Sequence, residues 1–484
     1  MITFLVACCI LVLGYVFYSR FAEKIFGIDA ERETCAVSMA DGVDYVVLPT
    51  WKQFLIQFLN IAGTGPIFGA IAGAMWGPSA FFWIAFGCVF GGAVHDYMVG
   101  MMSLRQNGAS VSEIVGENLG SAARKVMIVF SIILLLLVGV VFISSPADLM
   151  ASLTGVNRWV FIVAIVIYYL IATIMPIDKI IAKIYPIFGI SLFVMAIGII
   201  GGMVVNGMIT EIPEFSFSNP HVAGKSIFPY LFISIACGAI SGFHATQSPL
   251  MARCMKNETE GRKVFYGAMI AEGFIALIWA AAAMTFFGGF EGLAAEGGKA
   301  AVIVNKISTG LMGKTGMVLA VLGVVACPIT SGDTAFRSIR LTIADAFKLK
   351  QEKAIERYKI AVPVFLVGIA LLFVDFQIIW RYFAWANQTL AAIALWAACA
   401  YLKKKEKNYW ITLLPAIFMT VVVMDYIVIA PEGLGMIFNN NAALAETVGL
   451  TLGIVVAIIC TTLFAMLFHS KEEILEDDFE ELMD

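Results

Sequence analysis

The fold of this chain is decided by a polar stretch inside an apolar run, Asn60-Ile61-Ala62-Gly63-Thr64-Gly65-Pro66. Its two glycines allow the backbone to leave the helical conformation. The proline suits the first position of a new helix, because its missing N–H would have no partner there. The free N–H groups of that new helix would attract a carboxylate, and the carbonyls freed before it could bind a cation. The stretch therefore predicts a helix that is broken in its middle and carries a binding site at the break.

Apolar runs long enough to cross a membrane dominate the rest of the chain. Of its 484 residues, 61% are apolar and only 14% are charged, a balance far from that of water-soluble proteins. The runs are about 17–25 residues long, as membrane-crossing α-helices require, whereas the strands of a barrel would alternate in polarity. Thirteen candidate spans begin near residues 3, 53, 79, 124, 158, 184, 227, 264, 310, 358, 378, 409 and 446. The predicted fold class is therefore all-α, a polytopic membrane protein of about 13 transmembrane helices.

The basic residues fall unevenly on the two sides of this predicted topology. With the N-terminus outside, exterior loops hold only six of the 31 Lys and Arg residues, and cytoplasmic loops hold 25. Cytoplasmic loops carry such an excess, so we expect the C-terminus inside, in the cell inner membrane. The basic residues form no single patch, so no nucleic-acid partner is expected. No phosphate-binding loop of the GxxxxGKS/T type is present, so this chain alone is not an ATP-driven pump.

Two further spans are predicted to contain a polar, Gly- and Pro-rich break near their middle, so three spans in all are expected to be broken. The seventh span contains Cys237-Gly238-Ala239-Ile240-Ser241-Gly242-Phe243-His244-Ala245-Thr246-Gln247-Ser248-Pro249, and the ninth contains Cys327-Pro328-Ile329-Thr330-Ser331-Gly332-Asp333-Thr334. A single stretch of this kind could simply be a packing kink. However, the second and seventh spans are five apart and would cross the membrane in opposite directions. This order predicts an inverted five-plus-five repeat with broken helices at corresponding positions.

The predicted organisation has four parts. Residues 1–50 form the first helix and a cytoplasmic loop, and residues 51–402 form the transport core, with halves 51–210 and 225–402. Residues 403–470 form two C-terminal helices, and residues 471–484 form an acidic cytoplasmic tail. The nine cysteines show no metal-binding spacing, so no cofactor is expected.

Candidate site residues come from the three polar stretches. For a substrate carboxylate we expect the backbone and side chains at the breaks of the second and seventh spans: Asn60, Gly63, Thr64, Gly65, Ser241, His244 and Gln247. A side chain at Gly65 should fill the space where the backbone approaches ligand. For a coupling cation, sodium or a proton, we expect the hydroxyls of Thr330, Ser331 and Thr334, with carbonyls freed near Asn60 and Ile61.

Four ionisable residues inside spans are candidates for coupling or gating: His95, Asp96, Glu272 and Asp333. Adjacent helix residues do not share a face, so His95 and Asp96 are not a ready-made catalytic pair, and they either tie their helix to its neighbours or serve proton coupling or gating. Glu272 lacks an evident partner and is either functional or a hydrogen-bonded structural acid. Asp333 could bind the ion, carry a proton or pair with Arg337, four residues on.

Several of these motifs are similar to those of a known family. The stretches Phe58 to Ile67, Gly91 to Tyr97, Ala236 to His244 and Asp333 to Arg337 resemble the carbon starvation protein A (CstA) family, and the resemblance covers most of residues 50–345. It implies an inner-membrane transporter associated with nutrient limitation, with peptides as the usual substrate and pyruvate for some relatives. It also implies kinship with the amino acid–polyamine–organocation superfamily, whose inverted-repeat fold contains broken helices. The substrate stays open between di- or tripeptides and small carboxylates.

The leading hypothesis is a secondary transporter that couples uptake of such a solute to a cation. A channel is less consistent with thirteen spans and breaks inside single helices. An intramembrane enzyme would use His95, Asp96 and His244, but these form no paired catalytic motif in the sequence. A nutrient sensor is the remaining alternative. The expected partners are a small-molecule substrate and the lipid bilayer, and the oligomeric state is open.

Overall fold

The computed structural model describes residues 1–41, 45–173, 177–349, 353–438 and 441–481, and the regular structure in these ranges is helical. The N-terminal half contains α-helices Ile2–Leu13, Ser19–Phe26, Cys35–Ser38, Thr50–Ile61, Thr64–Gly73, Ser79–Phe86, Ala93–Arg105, Val111–Leu119, Ser121–Thr154, Arg158–Ala172 and Ile177–Val205. The C-terminal half contains Tyr230–Ser234, Gly242–Ala252, Gly267–Phe286, Phe290–Ala295, Ala300–Ala320, Ala326–Phe347, Ala354–Leu371, Phe376–Lys404, Trp410–Ile429 and Ala442–Glu481.

Many of these helices have the length and composition of membrane spans. Nine in the described ranges are long and apolar enough to cross a bilayer, or ten if the bent pair in the second span counts as one. The helix Arg158–Ala172 is apolar but shorter. Eleven of the thirteen starts that the sequence predicts fall inside a helix of the structure, and the other two, residues 227 and 409, lie three residues and one residue before a helix begins. The all-α, polytopic fold class is confirmed.

The second span is broken as predicted. Half-helix 2a, Thr50–Ile61, and half-helix 2b, Thr64–Gly73, meet at an angle of 48°. The backbone leaves the helical conformation at Gly63, with φ −64° and ψ −139°, and Pro66 lies in the first turn of 2b. A proline in the first turn costs no hydrogen bond, so the local sequence accounts for the break.

The seventh span is broken as well. Half-helix 7a, Tyr230–Ser234, and half-helix 7b, Gly242–Ala252, are separated by seven residues of non-helical chain. Gly238 lies in that chain with φ +91°, a conformation that other residues rarely adopt. A Cβ atom there would also lie 2.7 Å from the Cβ of Ala276. The glycine is therefore required both for the turn and for the close packing.

The two broken helices cross side by side in opposite directions. A Cβ atom built at Gly65 would lie 2.5 Å from Sγ of Cys237, and one at Gly69 would lie 3.0 Å from the carbonyl of Ser234. One at Gly73 would meet the side chain of Ile235 and would lie 3.6 Å from Leu231. The residue numbers rise along 2b as they fall along the partner, so the two segments are antiparallel. Small residues permit this close approach of two backbones.

The predicted third break is wrong. The stretch from Cys327 to Thr334 lies inside the continuous helix Ala326–Phe347, and the interruption in this span is at Gly313, with φ 58°. A π-turn, Val321–Val325, ends three residues before Pro328. Such a turn rearranges the carbonyls against which the proline ring would otherwise clash, so the proline is accommodated without a break.

The remaining helices pack around this core. The first helix packs against Ser79–Phe86 and Gly267–Phe286, and Trp410–Ile429 packs between Phe376–Lys404 and Ala442–Glu481. The last helix continues through Glu481, so the first part of the predicted acidic tail is helical in its backbone. The division into four parts stays a prediction.

Candidate functional site

Four ionisable side chains form one network of contacts beside the breaks of the second and seventh spans. They come from the third span (His95, Asp96), half-helix 7b (His244) and the eighth span (Glu272), and all four are fully buried. Each carboxylate oxygen of Asp96 contacts one imidazole, Oδ1 with His95 Nδ1 and Oδ2 with His244 Nδ1, both at 2.8 Å. His244 Nε2 lies 3.4 Å from Glu272 Oε2. Residues that the sequence placed in separate roles thus form one unit.

The pairing of His95 with Asp96 corrects a prediction. Adjacent side chains on a helix were expected to point apart, yet these two are in hydrogen-bond contact. Both side chains are enclosed by protein, and the carboxylate is an acceptor for which Nδ1, the ring nitrogen nearer the backbone, is within reach. Burial thus overrides the general rule on helix faces. Glu272, which lacked an evident partner in the sequence, faces His244.

The approach of His244 Nε2 to Glu272 Oε2, at 3.4 Å and outside hydrogen-bond geometry, is favourable only when one of the two groups carries a proton. When Nδ1 of His244 donates its hydrogen to the Asp96 carboxylate, Nε2 of a neutral ring is an acceptor. A carboxylate oxygen is also an acceptor, and two acceptors do not attract each other. The pair is therefore satisfied by a proton on either Nε2 or the Glu272 carboxyl. The cluster can hold that proton in two places, which is the chemistry of a proton-exchange site.

The N-terminus of 7b is capped by a residue that the sequence analysis missed, Asn387 in the eleventh span. Its Oδ1 accepts hydrogen bonds from the backbone N–H of Phe243, at 2.7 Å, and from the hydroxyl of Ser241, at 3.1 Å. Its Nδ2 donates to Sγ of Cys237 at 3.5 Å. Ser241, predicted to bind substrate, is therefore engaged with the protein. The signal available in the sequence was an Asn-Gln-Thr run within an otherwise apolar span.

One group of side chains in the described ranges has the composition of a metal site. Ligand atoms of Cys237, His244 and Glu272 lie within 4.8 Å of one another, and all three residues are buried. However, the Cys237 thiol is in hydrogen-bond contact with Ser241 at 3.5 Å and with Asn387. In this structure the thiol thus belongs to the hydrogen-bond network around the start of 7b.

Unpartnered polar atoms surround the break of the second span. Oδ1 of Asn60, Oγ1 of Thr64 and both amide atoms of Gln57 are buried, and none has a hydrogen-bond partner among the described residues. Gly63 lies beside the ring of Phe142, where a Cβ would be 3.3 Å from Cζ. The geometry places Asn60, Gly63 and Thr64 together at one break, as the sequence predicted. Their role as substrate ligands stays a prediction.

Two members of the predicted substrate set are placed differently. The free side of Gly65 faces Sγ of Cys237 and not open space, so the expected reason for its importance is wrong: a larger residue would displace the seventh span. Gln247 donates from Nε2 to Thr246 at 2.9 Å, and its Oε1 has no partner in the described residues. No hydrogen bond in these ranges joins the Gln247 side chain to the break of the second span.

The predicted cation residues lie between the ninth and second spans, as expected. Ser331 donates to the carbonyl of Leu59 at 3.3 Å, one of the carbonyls freed at the end of 2a. Thr330 donates to the Cys327 carbonyl at 2.7 Å, and Thr334 donates to carbonyls of its own helix at 3.1 Å. Ser331 therefore reaches the broken helix, and the thiol of Cys327 contacts the same Leu59 carbonyl at 3.3 Å. A sodium ion at this position stays a prediction.

Asp333, the fourth coupling candidate, forms an ion pair. Its Oδ2 lies 3.7 Å from Nη2 of Arg337, four residues on, and the same guanidinium donates to the carbonyl of Ala172 at 3.0 Å. The ion-pair alternative for Asp333 is thus present in the structure. The carboxylate is not part of the His95–Asp96–His244–Glu272 cluster.

A cavity of about 420 Å³ opens beside 2b, on the side away from 2a. Its lining includes Phe68 of 2b, Met75 of the turn after 2b, Trp380, and two residues of the loop before the seventh span, His221 and Lys225. Burial and the neighbouring Lys225 lower the pKa of His221, and burial followed by the charge of Arg381 lowers the pKa of Lys225. The cavity thus combines aromatic walls with one cationic side chain.

The sequence matches a family model described as carbon starvation protein CstA, over residues 1–165, 143–291 and 280–425. An uncharacterized membrane protein of Haemophilus influenzae is 42% identical over 339 residues, 59% of this chain and 91% of its own length. A peptide transporter CstA of Campylobacter jejuni is 31% identical, and a pyruvate/proton symporter BtsT of Escherichia coli is 29% identical. The matches cover 56% and 55% of this chain but only 48% and 46% of those two transporters.

Solved structures of secondary transporters have a similar fold. A nucleobase–cation symport-1 family transporter in a closed conformation aligns with a TM-score of 0.54 and 15% identity, over 86% of this chain and 93% of its own. A Na⁺-coupled sialic acid symporter aligns with a TM-score of 0.51 and 14% identity, over 96% and 97%. The inverted-repeat architecture with broken helices is confirmed, and at this level of identity the likeness concerns the fold alone.

Proposed function

Because the chain belongs to the carbon starvation protein CstA family, we propose that it is a secondary active transporter for cation-coupled uptake of small peptides or small carboxylates such as pyruvate, linked to the carbon starvation response. The observation that carries the proposal is the pairing of two antiparallel broken helices with a fully buried ionisable cluster at their breaks. Broken helices at mid-membrane bind substrate and ions in transporters, and buried ionisable residues there mark coupling pathways.

The substrate carboxylate is proposed to bind at the N-terminus of 2b. The backbone N–H groups that begin 2b point toward Gly63, and the helix dipole favours negative charge there. The unpartnered hydroxyl of Thr64 can donate a further hydrogen bond, and the unpartnered Oδ1 of Asn60 can accept one from an amine or amide of the substrate. Phe142 and Phe243, in edge contact with centroids 5.9 Å apart, lie over this region and would separate it from the neighbouring spans.

The coupling ion is proposed to be a proton held by the pair His244 and Glu272. Asp96 fixes the His244 ring through Nδ1, and ligand atoms of Cys237, His244 and Glu272 lie within 4.8 Å of one another. No Lys or Arg side chain in the described ranges forms an ion pair with these four residues. The proton is then the charge that balances the cluster. Sodium at Ser331 and the Leu59 carbonyl is the second candidate, supported by their contact.

Uptake of labelled pyruvate and labelled dialanine into proteoliposomes tests this proposal. An imposed pH gradient, acidic outside, should drive accumulation of one of the two without sodium, and Glu272→Gln and His244→Gln should abolish the pH-driven component. Asp425→Asn is the matched control, because Asp425 is a buried acid in the twelfth span outside the cluster. Accumulation that follows sodium and ignores the pH gradient would move the coupling site to Ser331.

Further parts of the proposal concern topology and the competing functions. The excess of basic residues in one set of loops supports an inner-membrane location with the N-terminus outside and the C-terminus in the cytoplasm. A carrier exchanges labelled for unlabelled substrate against a gradient, whereas a channel or a sensor does not. Absence of counterflow for both probes would therefore refute a transport function. Conversion of either probe to a new product would instead indicate an enzyme.

A further inference from the structure

A second polar cavity, of about 160 Å³, lies beside half-helix 7b at the end away from its break. Arg253, which follows 7b, lines it together with side chains of the fourth and ninth spans. Its wall is unusual for a membrane protein because six hydroxyl groups line it: Ser110, Ser112, Ser131, Thr246, Ser338 and Thr342. None of these residues belongs to the candidate site at the two breaks. The cavity is a separate place where a polar solute can be held.

The guanidinium of Arg253 is fixed in position and carries unused donors. Nε and Nη2 donate to the carbonyl of Gly108 at 3.0 and 2.9 Å, and the group lies 5.3 Å from the ring centroid of Tyr45. Because an arginine side chain has five N–H donors, these contacts leave the two hydrogens of Nη1 without a hydrogen-bond partner among the described residues. No carboxylate in the described ranges pairs with it. A fixed cation with free donors attracts an anion.

Ser131 gives independent evidence for a ligand. Its side chain is 2% exposed, and its Oγ has no hydrogen-bond partner among the described residues. Buried hydroxyls are nearly always satisfied, so an unsatisfied one that lines a cavity points to a polar occupant. Ser110, which lines the cavity, donates hydrogen bonds from its backbone N–H and its hydroxyl to the carboxylate of Glu113, at 2.8 and 3.1 Å. The charge of that carboxylate is thus engaged by the cap of the helix Val111–Leu119.

We propose that this cavity is a second binding site for the substrate, specific for a small monocarboxylate, on the release side of 7b. The proposal rests on the transport function above. Pockets for drug-sized ligands have volumes of roughly 300–1,000 Å³, so a cavity of about 160 Å³ accommodates a three-carbon acid and not a tripeptide. Arg253 would bind the carboxylate, and Ser131 would donate to one of its oxygens. Substrate leaving the central breaks along 7b would pause here.

Equilibrium binding of labelled pyruvate to the purified full chain in nanodiscs tests the proposal. Wild type should bind two pyruvates per chain, one at the breaks and one in this cavity. Ser131→Ala and Arg253→Lys should weaken one of the two sites by roughly tenfold or more, the loss expected for one hydrogen bond to a charged group. Ser131→Ala removes no internal hydrogen bond, so it should fold normally. Ser308→Ala is the matched control, a buried unpartnered serine in another helix.

Each outcome bears on a different claim. Identical isotherms for Ser131→Ala, Arg253→Lys and Ser308→Ala would overturn the second site, even if counterflow shows that wild type transports pyruvate. Competition by sulfate equal to that by unlabelled pyruvate would overturn its specificity for a carboxylate. Dialanine binding that is equally sensitive to Ser131→Ala would overturn the restriction to small acids. Absence of counterflow for every probe would refute the transport function. The binding isotherms would still decide, independently, whether the second site exists.

Discussion

Replacing Asn387 by alanine should destabilise the protein by removing the cap of half-helix 7b. Asn387 lies in the eleventh span, and its Oδ1 is the partner of the Phe243 N–H at 2.7 Å. Both residues are buried, so no water can replace the lost acceptor. The hydroxyl of Ser241 can rotate to another acceptor, whereas the backbone N–H cannot. One buried donor is thus left unsatisfied.

The structure sets the size of the expected effect. An unsatisfied buried donor costs about 1–3 kcal/mol, and loss of a helix cap costs about 0.5–2 kcal/mol in soluble proteins. We therefore expect a loss of about 2 kcal/mol for Asn387→Ala. In Ser241→Ala the Phe243 N–H keeps its partner, so the loss there should be smaller. The double variant should cost less than the sum, because the two residues share one hydrogen bond.

Reversible unfolding in mixed detergent micelles measures these differences. Thr389→Ala is the matched control, because Thr389 is two residues on and its hydroxyl bonds only to the carbonyl of Trp385 in its own helix. A free energy of unfolding for Asn387→Ala within about 0.5 kcal/mol of the control would refute the role of Asn387 as a cap, since surface-like effects are of that size.

Three further predictions follow from single contacts. Gly242→Ala should lower the melting temperature, because its Cβ would lie 2.6 Å from the backbone nitrogen of Ala391. Gly201→Ala is the control: no atom lies within 4 Å of the new Cβ, so this change should stabilise the protein by about 0.5–1 kcal/mol. Equal melting temperatures for the two variants would contradict the prediction. The lowered pKa of His221 means that its neutral form stabilises the fold above about pH 6.5, a contribution lost as the pH falls through the folded-state pKa. The melting temperature of wild type should therefore fall more steeply below about pH 6.5 than that of His221→Gln. Parallel plots of melting temperature against pH for the two proteins would refute this role of His221. If sodium couples transport, Ser331→Ala should raise the sodium concentration for half-maximal uptake more than Thr334→Ala does, because of these two residues only Ser331 donates a hydrogen bond to 2a.

The loss of stability at acidic pH that we expect from His221 is explained by the contacts of its ring. Nδ1 of His221 accepts a hydrogen bond from the backbone N–H of Ala223 at 3.1 Å. Protonation of that nitrogen removes the acceptor, and the new charge lies close to Lys225. Both effects oppose protonation in the folded state, which is why stability rises with pH in this range and not the reverse.

The sequence identified the residues of the broken second span correctly because the cause of that break is local. Gly63 and Pro66 act on their own backbone, and their effect does not depend on what packs nearby. The Cys327 to Thr334 stretch has a similar composition and yet forms a helix. There the π-turn before Pro328 absorbs the distortion, and a turn of that kind has no clear signature in a sequence.

Pairing between distant residues could not be read from composition or spacing. Asp96 and His244 are 148 residues apart, and Asn387 is 144 residues from the N–H that it caps. Each looked like an isolated polar residue in an apolar run. The glycine at position 65 was correctly identified as special, but the atom that requires it, Sγ of Cys237, belongs to another span.

The sequence by itself determined the membrane class, the spans, the broken second and seventh helices and the set of polar residues that a bilayer would not tolerate without partners. These follow from hydrophobicity and backbone chemistry, which act over a few neighbouring residues. Only the tertiary structure decided which polar residue meets which: that Asp96 holds two imidazoles, that Asn387 caps 7b and that Ser131 lines a second cavity. Such contacts depend on the packing of helices far apart in the chain, and the burial of every member of the set is what forces each one to find its partner.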